Sequence, residues 1–240
     1  MNPGNGRSDY RRLGLLAPFA ELPGDLIDAA LASGVLAYQV VTTAVDSHEV
    51  DDLANMGEHD VLLDGGRRLQ RWRPEIVMWA CTSGSFVVGR GGSLAQSDHL
   101  ARELGVPVSS TSLAFIEALR ALDVDRVDLL SPYPLPATEA FISYLAEWDV
   151  EVAWSVHLDH PGARSSERTR ATDVQRYLER PGRTDFLLLP DTAVWGFELL
   201  LSLGDASTGI LTANQVTLWQ ALRMLDAPTD VDVMGTLRGL

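Results

Sequence analysis

The segment Ile76-Val-Met-Trp-Ala-Cys-Thr-Ser-Gly-Ser85 joins a short apolar run to a cluster of small polar residues, and it contains the only cysteine of the chain. The apolar run follows a proline and is short enough to form one buried strand. Thr82, Ser83 and Ser85 offer hydroxyls of the kind that start helices. We therefore expect Cys81 at the carboxyl end of a buried strand, where backbone N–H groups and a helix dipole would lower the pKa of its thiol.

Two interpretations of this cysteine are open. A lone buried cysteine can act simply as a small apolar side chain. Alternatively, a thiol beside a helix start is a reactive group, because such positions favour the thiolate. The polar residues that follow Cys81 favour the reactive interpretation.

Short apolar runs alternate with helical patterns on both sides of this segment. Strands are predicted at residues 13–17, 35–43, 76–80, 106–108, 127–131, 150–156, 185–189 and 210–211. Helices are predicted at residues 25–31, over most of 46–72, and at 94–104, 112–122, 138–148, 170–179, 194–203 and 214–225. This alternation predicts an α/β fold with parallel sheets flanked by helices. Residues 1 to about 10 are predicted to form a flexible tail.

The chain also contains an internal repeat. Leu15-Leu-Ala-Pro-Phe19 matches Leu129-Leu-Ser-Pro-Tyr133 at a separation of 114 positions, and Cys81-Thr82 matches Asp191-Thr192 at a separation of 110. The repeat predicts two pseudo-symmetric α/β domains, residues 1–110 plus 214–240 and residues 111–213, with an active site in the cleft between them. Asp191 would then face Cys81, and Phe19 and Tyr133 would lie near the cleft floor. Alternatively, these matches arise by chance, because strand ends in α/β proteins resemble one another in sequence.

Composition restricts the class of partner. The chain has 240 residues and a formal net charge of −14, so we expect neither a nucleic-acid nor a membrane partner. One cysteine excludes an intramolecular disulfide and suits a reducing cytoplasm. No apolar run is long enough for a membrane span, and the first ten residues lack the apolar centre of a signal peptide. We expect a cytoplasmic protein and leave a homo-oligomer open.

Three segments resemble one known family over nearly the whole chain. They are Cys81-Thr-Ser-Gly-Ser-Phe-Val-Val-Gly89, Ser131-Pro-Tyr133 and Asn214-Gln-Val-Thr-Leu-Trp219. Together they resemble the Asp/Glu racemase superfamily, in its maleate isomerase and arylmalonate decarboxylase branch. The resemblance implies two pseudo-symmetric halves, each with a cysteine that faces a small acid substrate, and no metal or organic cofactor.

The resemblance also implies roles for individual residues. Cys81 would be the nucleophile or base of the first half, Thr82 and Ser83 would donate to a substrate carboxylate, and Tyr133 would bind that carboxylate. Two features depart from the isomerases. Asp191 stands where the second cysteine is expected, and Phe19-Ala-Glu-Leu22 replaces a segment with an asparagine. Decarboxylases of this branch also lack that asparagine, but they keep the second cysteine and lack the first.

A cysteine opposite an aspartate combines a nucleophile with a proton carrier. Two ionised forms in one cleft would repel, so the pair should retain one proton. The thiolate could add to a double bond or remove an α-proton while Asp191 protonates the opposite face. Thr82, Ser83, Tyr133 and Thr192 would stabilise the enolate charge that develops, with Phe19 also at the substrate. Alternatively, Asp191 is a helix N-cap and Tyr133 a core residue.

The sequence therefore predicts a cofactor-independent isomerase of a small carboxylate or dicarboxylate, acting by cis–trans isomerisation or racemisation. The alternatives are a decarboxylase of a malonate-like acid and a non-catalytic protein that binds small acids. Three further segments are not expected to form a metal or phosphate site, although loops such as 89–93 and 156–164 are expected to set substrate specificity. His157-Leu-Asp159-His160 is predicted to be a loop and not a metal site, residues 46–52 an exposed helix start, and Gly89-Arg-Gly-Gly92 a mobile loop near the cleft.

Overall fold

The computed structural model describes residues 10–240, which form two four-stranded parallel sheets. The first has the order β2-β1-β3-β4, with β1 (Arg11–Ala17), β2 (Val35–Val41), β3 (Ile76–Trp79) and β4 (Val108–Ser110). The second has the order β6-β5-β7-β8, with β5 (Arg126–Ser131), β6 (Glu151–His157), β7 (Leu187–Leu189) and β8 (Ile210–Thr212). The two orders are equivalent, and the predicted pseudo-symmetric α/β fold is confirmed.

Helices cover the sheets. They are α1 (Gly24–Ala32), α2 (Val50–Met56), α3 (His59–Leu69), α4 (Ser83–Phe86), α5 (Gly89–Leu104), α6 (Thr111–Ala121), α7 (Leu135–Ala146), α8 (Ala163–Ser166), α9 (Ala171–Leu178), α10 (Gly196–Leu203) and α11 (Ala213–Met224). Every residue of β3 is buried, because helices shield both faces of a parallel sheet. This is why the central strands read as continuous apolar runs rather than as alternating patterns.

One apolar core joins the two halves. The Phe141 ring lies 4.9 Å from Phe86, which follows β3 of the first sheet, and 5.9 Å from Phe115 of α6. Helix α11 packs against α6 and also contacts β3. The domain boundary at residues 110–111, with residues 214–240 assigned to the first domain, stays a prediction.

The predicted mobile loop at residues 89–92 is wrong, because these residues form the first turn of helix α5. Glu147 fixes that turn: its Oε2 accepts the Arg90 N–H at 2.6 Å, and its carbonyl accepts a bond from the Arg90 guanidinium at 3.0 Å. The same guanidinium stacks on Trp148, 4.1 Å from the ring centre. These long-range contacts, which local sequence does not reveal, outweigh the low helix propensity of three glycines.

The predicted N-terminal tail and the absence of a membrane span are the remaining expectations about the chain. The predicted tail lies almost entirely outside the described residues. Within residues 10–240, no helix is both long enough and apolar enough to cross a membrane.

Candidate active site

Cys81 and Asp191 occupy equivalent positions at the carboxyl ends of two central strands. Each lies two residues beyond its strand, after β3 and β7 respectively. Both line one small chamber between the two sheets, with a volume of about 20 Å³. The chamber is lined by Pro18, Phe19, Val45, Ser47, His48, Leu53, Met56, Cys81, Thr82, Ser83, Ala163, Asp191 and Thr192. The structure thus brings together the cysteine and aspartate that the repeat pairs.

The Cys81 thiol lies at the first turn of α4. Its Sγ accepts the Gly84 N–H at 3.3 Å and lies 3.8 Å from the Ser83 hydroxyl. Burial nevertheless raises the pKa of the thiol to about 12, the Gly84 and Ser83 contacts oppose that rise, and the Asp191 charge adds to it. The predicted lowering of the thiol pKa is therefore wrong, because two weak donors do not compensate for the loss of hydration.

Asp191 adopts a left-handed backbone conformation, with φ of 85°. Few residues other than glycine do so, and aspartate is among those that tolerate it. Its Oδ1 accepts the Ala193 N–H at 3.0 Å, and its own N–H donates to Thr82 Oγ1 at 3.2 Å. Helix α10 begins only at Gly196, so Asp191 closes a local turn and is not the N-cap of that helix.

The turn after β7 is fixed from both halves of the molecule. The Thr192 hydroxyl donates to the Ala80 carbonyl at 3.0 Å, which ties the two strand ends together. The buried amide of Asn214, at the start of α11, donates to the carbonyls of Thr192 and Val194 at 3.1 and 3.0 Å. The Thr192 hydroxyl hydrogen is therefore used within the protein, and Asn214 sets the position of the Asp191 turn.

Tyr133 and Phe19 lie at different depths. Tyr133 is fully buried, and its hydroxyl makes no hydrogen bond of good geometry within residues 10–240, although the hydroxyls of Thr82 and Ser83 lie close enough to act on it as hydrogen-bond partners. Burial, together with the charges of Asp191 and Cys81, raises the pKa of this phenol well above its usual value, so it remains a hydrogen-bond donor. Phe19 lies half-buried at the rim, with the Arg164 guanidinium 5.1 Å from its ring centre.

His48 is a site residue that the sequence analysis missed. Its Nε2 lies 3.4 Å from Asp191 Oδ2, its Nδ1 lies 2.8 Å from the His160 carbonyl oxygen, and its ring meets Tyr133 edge-on. It lies in the loop between β2 and α2. The predicted exposed helix start at residues 46–52 is wrong for its first four residues, because α2 begins at Val50 and His48 is buried. The signal available in the sequence was the repeat, since His48 and His160 are 112 positions apart.

The segment 157–160 contributes to the site through its backbone. The His157 and Asp159 side chains lie 3.6 Å apart, and no group of three His, Cys, Asp or Glu side chains suited to a metal ion occurs in the described chain. The His160 carbonyl instead positions His48. The site as a whole places a nucleophile and a carboxylate with a histidine around one chamber, and the buried phenol of Tyr133 packs against that histidine. Such a set suits acid–base and covalent chemistry on a small acid.

Comparisons with known proteins agree with this geometry. The family model described as arylmalonate decarboxylase matches residues 51–238. A maleate isomerase from Nocardia farcinica is 28% identical over 180 residues, which cover 68% of this chain and 69% of the relative. An arylmalonate decarboxylase from Bordetella bronchiseptica is 30% identical over 162 residues, covering 65% and 60%.

Solved structures show the same fold. A cysteine-to-alanine variant of the maleate isomerase from Pseudomonas putida, with maleate, superposes with a TM-score of 0.83 at 20% identity, over 95% of this chain and 97% of that one. A cysteine-to-serine variant of the Nocardia farcinica isomerase, with a covalently bound succinylcysteine intermediate, gives 0.83 at 23%, over 95% and 98%. The predicted superfamily branch and enzyme class are confirmed. By the match over residues 51–238, the chain belongs to the arylmalonate decarboxylase family.

Proposed function

We propose that this protein catalyses the cis–trans isomerisation of a small dicarboxylate of the maleate type, with Cys81 as the nucleophile and Asp191 as the proton carrier. One observation carries the proposal: Cys81 and Asp191 lie at equivalent strand ends and line one chamber. The maleate isomerases among the relatives support the reaction class. Asp191 in place of a second cysteine is compatible with it, since a carboxyl group also carries a proton.

The substrate carboxylate would bind at the buried hydroxyl groups. The Tyr133 hydroxyl makes no hydrogen bond of good geometry among the described residues, so its hydrogen is available to a ligand that accepts from it. The hydroxyls of Thr82 and Ser83 are buried beside it. These groups would also stabilise the negative charge that develops on the carboxylate when the adjacent carbon becomes carbanionic.

The first step adds the S–H group across the double bond. Cys81 gives its proton to the Asp191 carboxylate as its sulfur bonds to one olefinic carbon. The π electrons move to the neighbouring carbon, and Asp191 delivers the proton there. The product is a succinyl thioether with a single C–C bond, so rotation becomes free.

The second step reverses the first on the rotated bond. Asp191 removes the proton from carbon, the electron pair re-forms the double bond, and the C–S bond breaks. The sulfur regains its proton from Asp191, so thiol and carboxylate return to their initial states. The trans diacid leaves, and no other reactant is consumed.

The test follows maleate in heavy water by proton NMR. We expect conversion of the cis to the trans diacid by the wild type, loss of turnover in Cys81→Ser, and a strong decrease in Asp191→Asn. Unfolding curves of each variant serve as the control for folding. Asp191→Cys should retain or raise the activity. Maleate binding without turnover, unaltered by Cys81→Ala, would instead identify a non-catalytic binder of small acids.

A second candidate, decarboxylation of a substituted malonate, is favoured by one observation. A cavity of about 150 Å³ adjoins Asp191 and is lined partly by Phe19, Leu22 and Trp195. This volume is of the order that accepts an aromatic ring, about 150 Å³. The same NMR assay with phenylmalonate distinguishes the reactions, because decarboxylation replaces the lost carboxyl group with a solvent-derived deuteron.

We also retain the cytoplasm as the proposed location. The mechanism needs Cys81 as a free thiol, and a reducing compartment keeps it so. Cell fractionation with an antibody to the native chain tests the location.

A further inference from the structure

We propose that His48 is a positioning residue that holds Asp191 Oδ2 and the proton this carboxylate transfers, so that the proton carrier of the second half is an Asp–His pair. The inference rests on the role of Asp191 in the proposed function. It starts from the 3.4 Å separation of His48 Nε2 and Asp191 Oδ2, which is an ion-pair distance between two side chains less than a tenth exposed. Oδ2 is buried and has no hydrogen-bond partner among the described residues, so Nε2 is the group placed to hold it.

The orientation of the imidazole is fixed from the opposite half of the molecule. The backbone N–H of His48 donates to the Pro161 carbonyl at 2.9 Å and fixes the main chain. Its ring Nδ1 lies 2.8 Å from the His160 carbonyl oxygen. A carbonyl oxygen only accepts, so Nδ1 carries the hydrogen of that bond. The other ring nitrogen, Nε2, is then the atom that faces Asp191.

This orientation defines where a proton on the pair resides. Before the reaction no proton lies between the two atoms. When Asp191 takes up the Cys81 proton, Oδ2–H can donate to the bare Nε2, or Nε2 can carry that proton and donate to Oδ2. In both cases the proton lies between the same two atoms. Asp191 Oδ1 is held separately by the Ala193 N–H. Once Asp191 holds the transferred proton, a slightly closer approach of Nε2 would form that hydrogen bond and keep the carboxyl group facing the chamber.

Other titratable groups also surround the pair. Burial raises the pKa values of Cys81 and Tyr133, and the charge of Asp191 raises them further, so both groups keep their protons. His160, whose pKa is lowered by burial, also lies within range of Asp191 and His48. Asp173 and Arg168 act on His160 with opposite signs. Within residues 10–240, His48 is the side chain that forms an ion-pair contact with Asp191.

The competing explanation is that His48 only joins the two loops. Asp46 provides a matched control, because it lies on the same loop and also contacts the opposite half. Its Oδ1 accepts the Arg164 N–H at 3.3 Å, and its Oδ2 lies 3.7 Å from the Arg164 guanidinium. Asp46 does not line the chamber. A loss of loop contacts alone should therefore give Asp46→Asn and His48→Gln similar kinetics.

The first experiment measures kcat and KM for maleate across pH in both variants. Glutamine keeps an N–H group near the Nε2 position but cannot take up a proton. We expect His48→Gln to lower kcat by about tenfold or more, to change the pH profile and to alter KM little. Asp46→Asn should keep the wild-type pH profile. In the Asp191→Asn variant, adding His48→Gln should lower kcat by less than a further twofold. The proposal is overturned if His48→Gln lowers kcat by the same factor in the wild type and in Asp191→Asn. It is also overturned if His48→Gln and Asp46→Asn have the same pH profile of kcat.

The second experiment needs no turnover and separates this inference from the proposed reaction. Proton NMR follows the five histidine rings across pH, and the His48 signals are assigned by their loss in His48→Gln. We expect Asp191→Asn to change the pH dependence of the His48 signals and Asp46→Asn to leave it unchanged. An unchanged His48 response in Asp191→Asn overturns the pair even if the enzyme isomerises maleate. A changed response without isomerisation supports the pair and refutes the reaction instead.

Discussion

At the scale of the residue, the state of the Cys81 thiol is decided by burial rather than by its donors. A solvent-exposed thiol at a helix start is stabilised as the thiolate. Cys81 is only 2% exposed, and its pKa is raised to about 12 although Gly84 N–H points at the sulfur. The resting enzyme therefore holds a neutral thiol, and a base must remove the proton during attack. Asp191 lines the same chamber and can be that base.

A neutral thiol should react slowly with alkylating agents. Relative to an ordinary cysteine of pKa 9.0, a pKa of about 12 reduces the thiolate fraction at pH 7.5 by about 10³. We expect iodoacetamide to modify Cys81 at least that much more slowly than it modifies a free thiol, with a rate that rises about tenfold per pH unit. Mass spectrometry at several pH values measures this rate. A thiol that reacts fully within minutes at pH 7.5 would contradict the neutral resting state.

The same raised pKa should make stability depend on alkaline pH. Below about pH 9 the thiol is protonated in both the folded and the unfolded chain, so it has no effect on the pH dependence. Between about pH 9 and 12 the unfolded chain releases the proton and the folded chain keeps it. The free energy of unfolding should fall there by up to about 1.4 kcal/mol per pH unit. Urea unfolding at pH 8 and pH 10 should show a smaller loss in Cys81→Ala than in the wild type.

Removal of the Tyr133 hydroxyl should affect substrate binding much more than protein stability. Its buried hydroxyl makes no hydrogen bond of good geometry among the described residues and only weak contacts with Thr82 and Ser83, so Tyr133→Phe should change the free energy of unfolding by less than about 1 kcal/mol. Loss of a hydrogen bond to a charged carboxylate costs about 1.5–3 kcal/mol, which is about 10- to 150-fold in kcat/KM. Steady-state kinetics and thermal unfolding test the two halves of this prediction. Wild-type kcat/KM in a stable variant would remove Tyr133 from the substrate site.

At the scale of the element, the junction of β3 and α4 has no room for a larger residue at Gly84. A Cβ there would lie 2.7 Å from the Trp79 ring and 3.2 Å from the Leu53 carbonyl oxygen. Such crowding typically costs about 1–3 kcal/mol. We expect Gly84→Ala to lower the free energy of unfolding by that amount and to displace the N–H that contacts Cys81. Gly91→Ala, whose Cβ would meet nothing within 4 Å, is the matched control and should not destabilise. If Gly84→Ala and Gly91→Ala had the same free energy of unfolding, the Trp79 ring would be able to shift away from the new methyl group without cost.

Elements were predicted best where local pattern and tertiary environment agree. The continuous apolar residues 76–80 predicted β3 because a buried parallel strand needs apolar side chains on both faces. Residues 89–92 were predicted wrongly because Glu147, 57 positions away, holds the turn. His48 was missed for a similar reason: its partners lie in the other half of the chain, and no local pattern links position 48 to position 160.

At the scale of the whole molecule, the repeat explains why the two loops over the chamber meet. In the first half, the Thr43 N–H donates to the carbonyl of Pro18, and in the second half the His160 N–H donates to that of Pro132. Equivalent strand-end contacts thus direct the loops after β2 and β6 into the same cleft from opposite sides. A chamber of about 20 Å³ holds little more than a water molecule, so we expect these loops to move apart when a four-carbon diacid binds beside Cys81.

The contact between the loops should therefore control access to Cys81. A Cβ on Gly162 would lie 2.5 Å from Asp46 Oδ1 and 2.8 Å from the Asp46 backbone oxygen, so Gly162→Ala should push the loops apart. At a fixed pH of 8.5, we expect this variant to be alkylated by iodoacetamide several-fold faster than the wild type. The crowding should also lower the free energy of unfolding by up to about 1–3 kcal/mol, so urea unfolding is measured beside the alkylation rate. Gly91→Ala should react at the wild-type rate. If Gly162→Ala also reacted at the wild-type rate, access to the thiol would depend on motions elsewhere, and the loops would not form the entrance to the chamber.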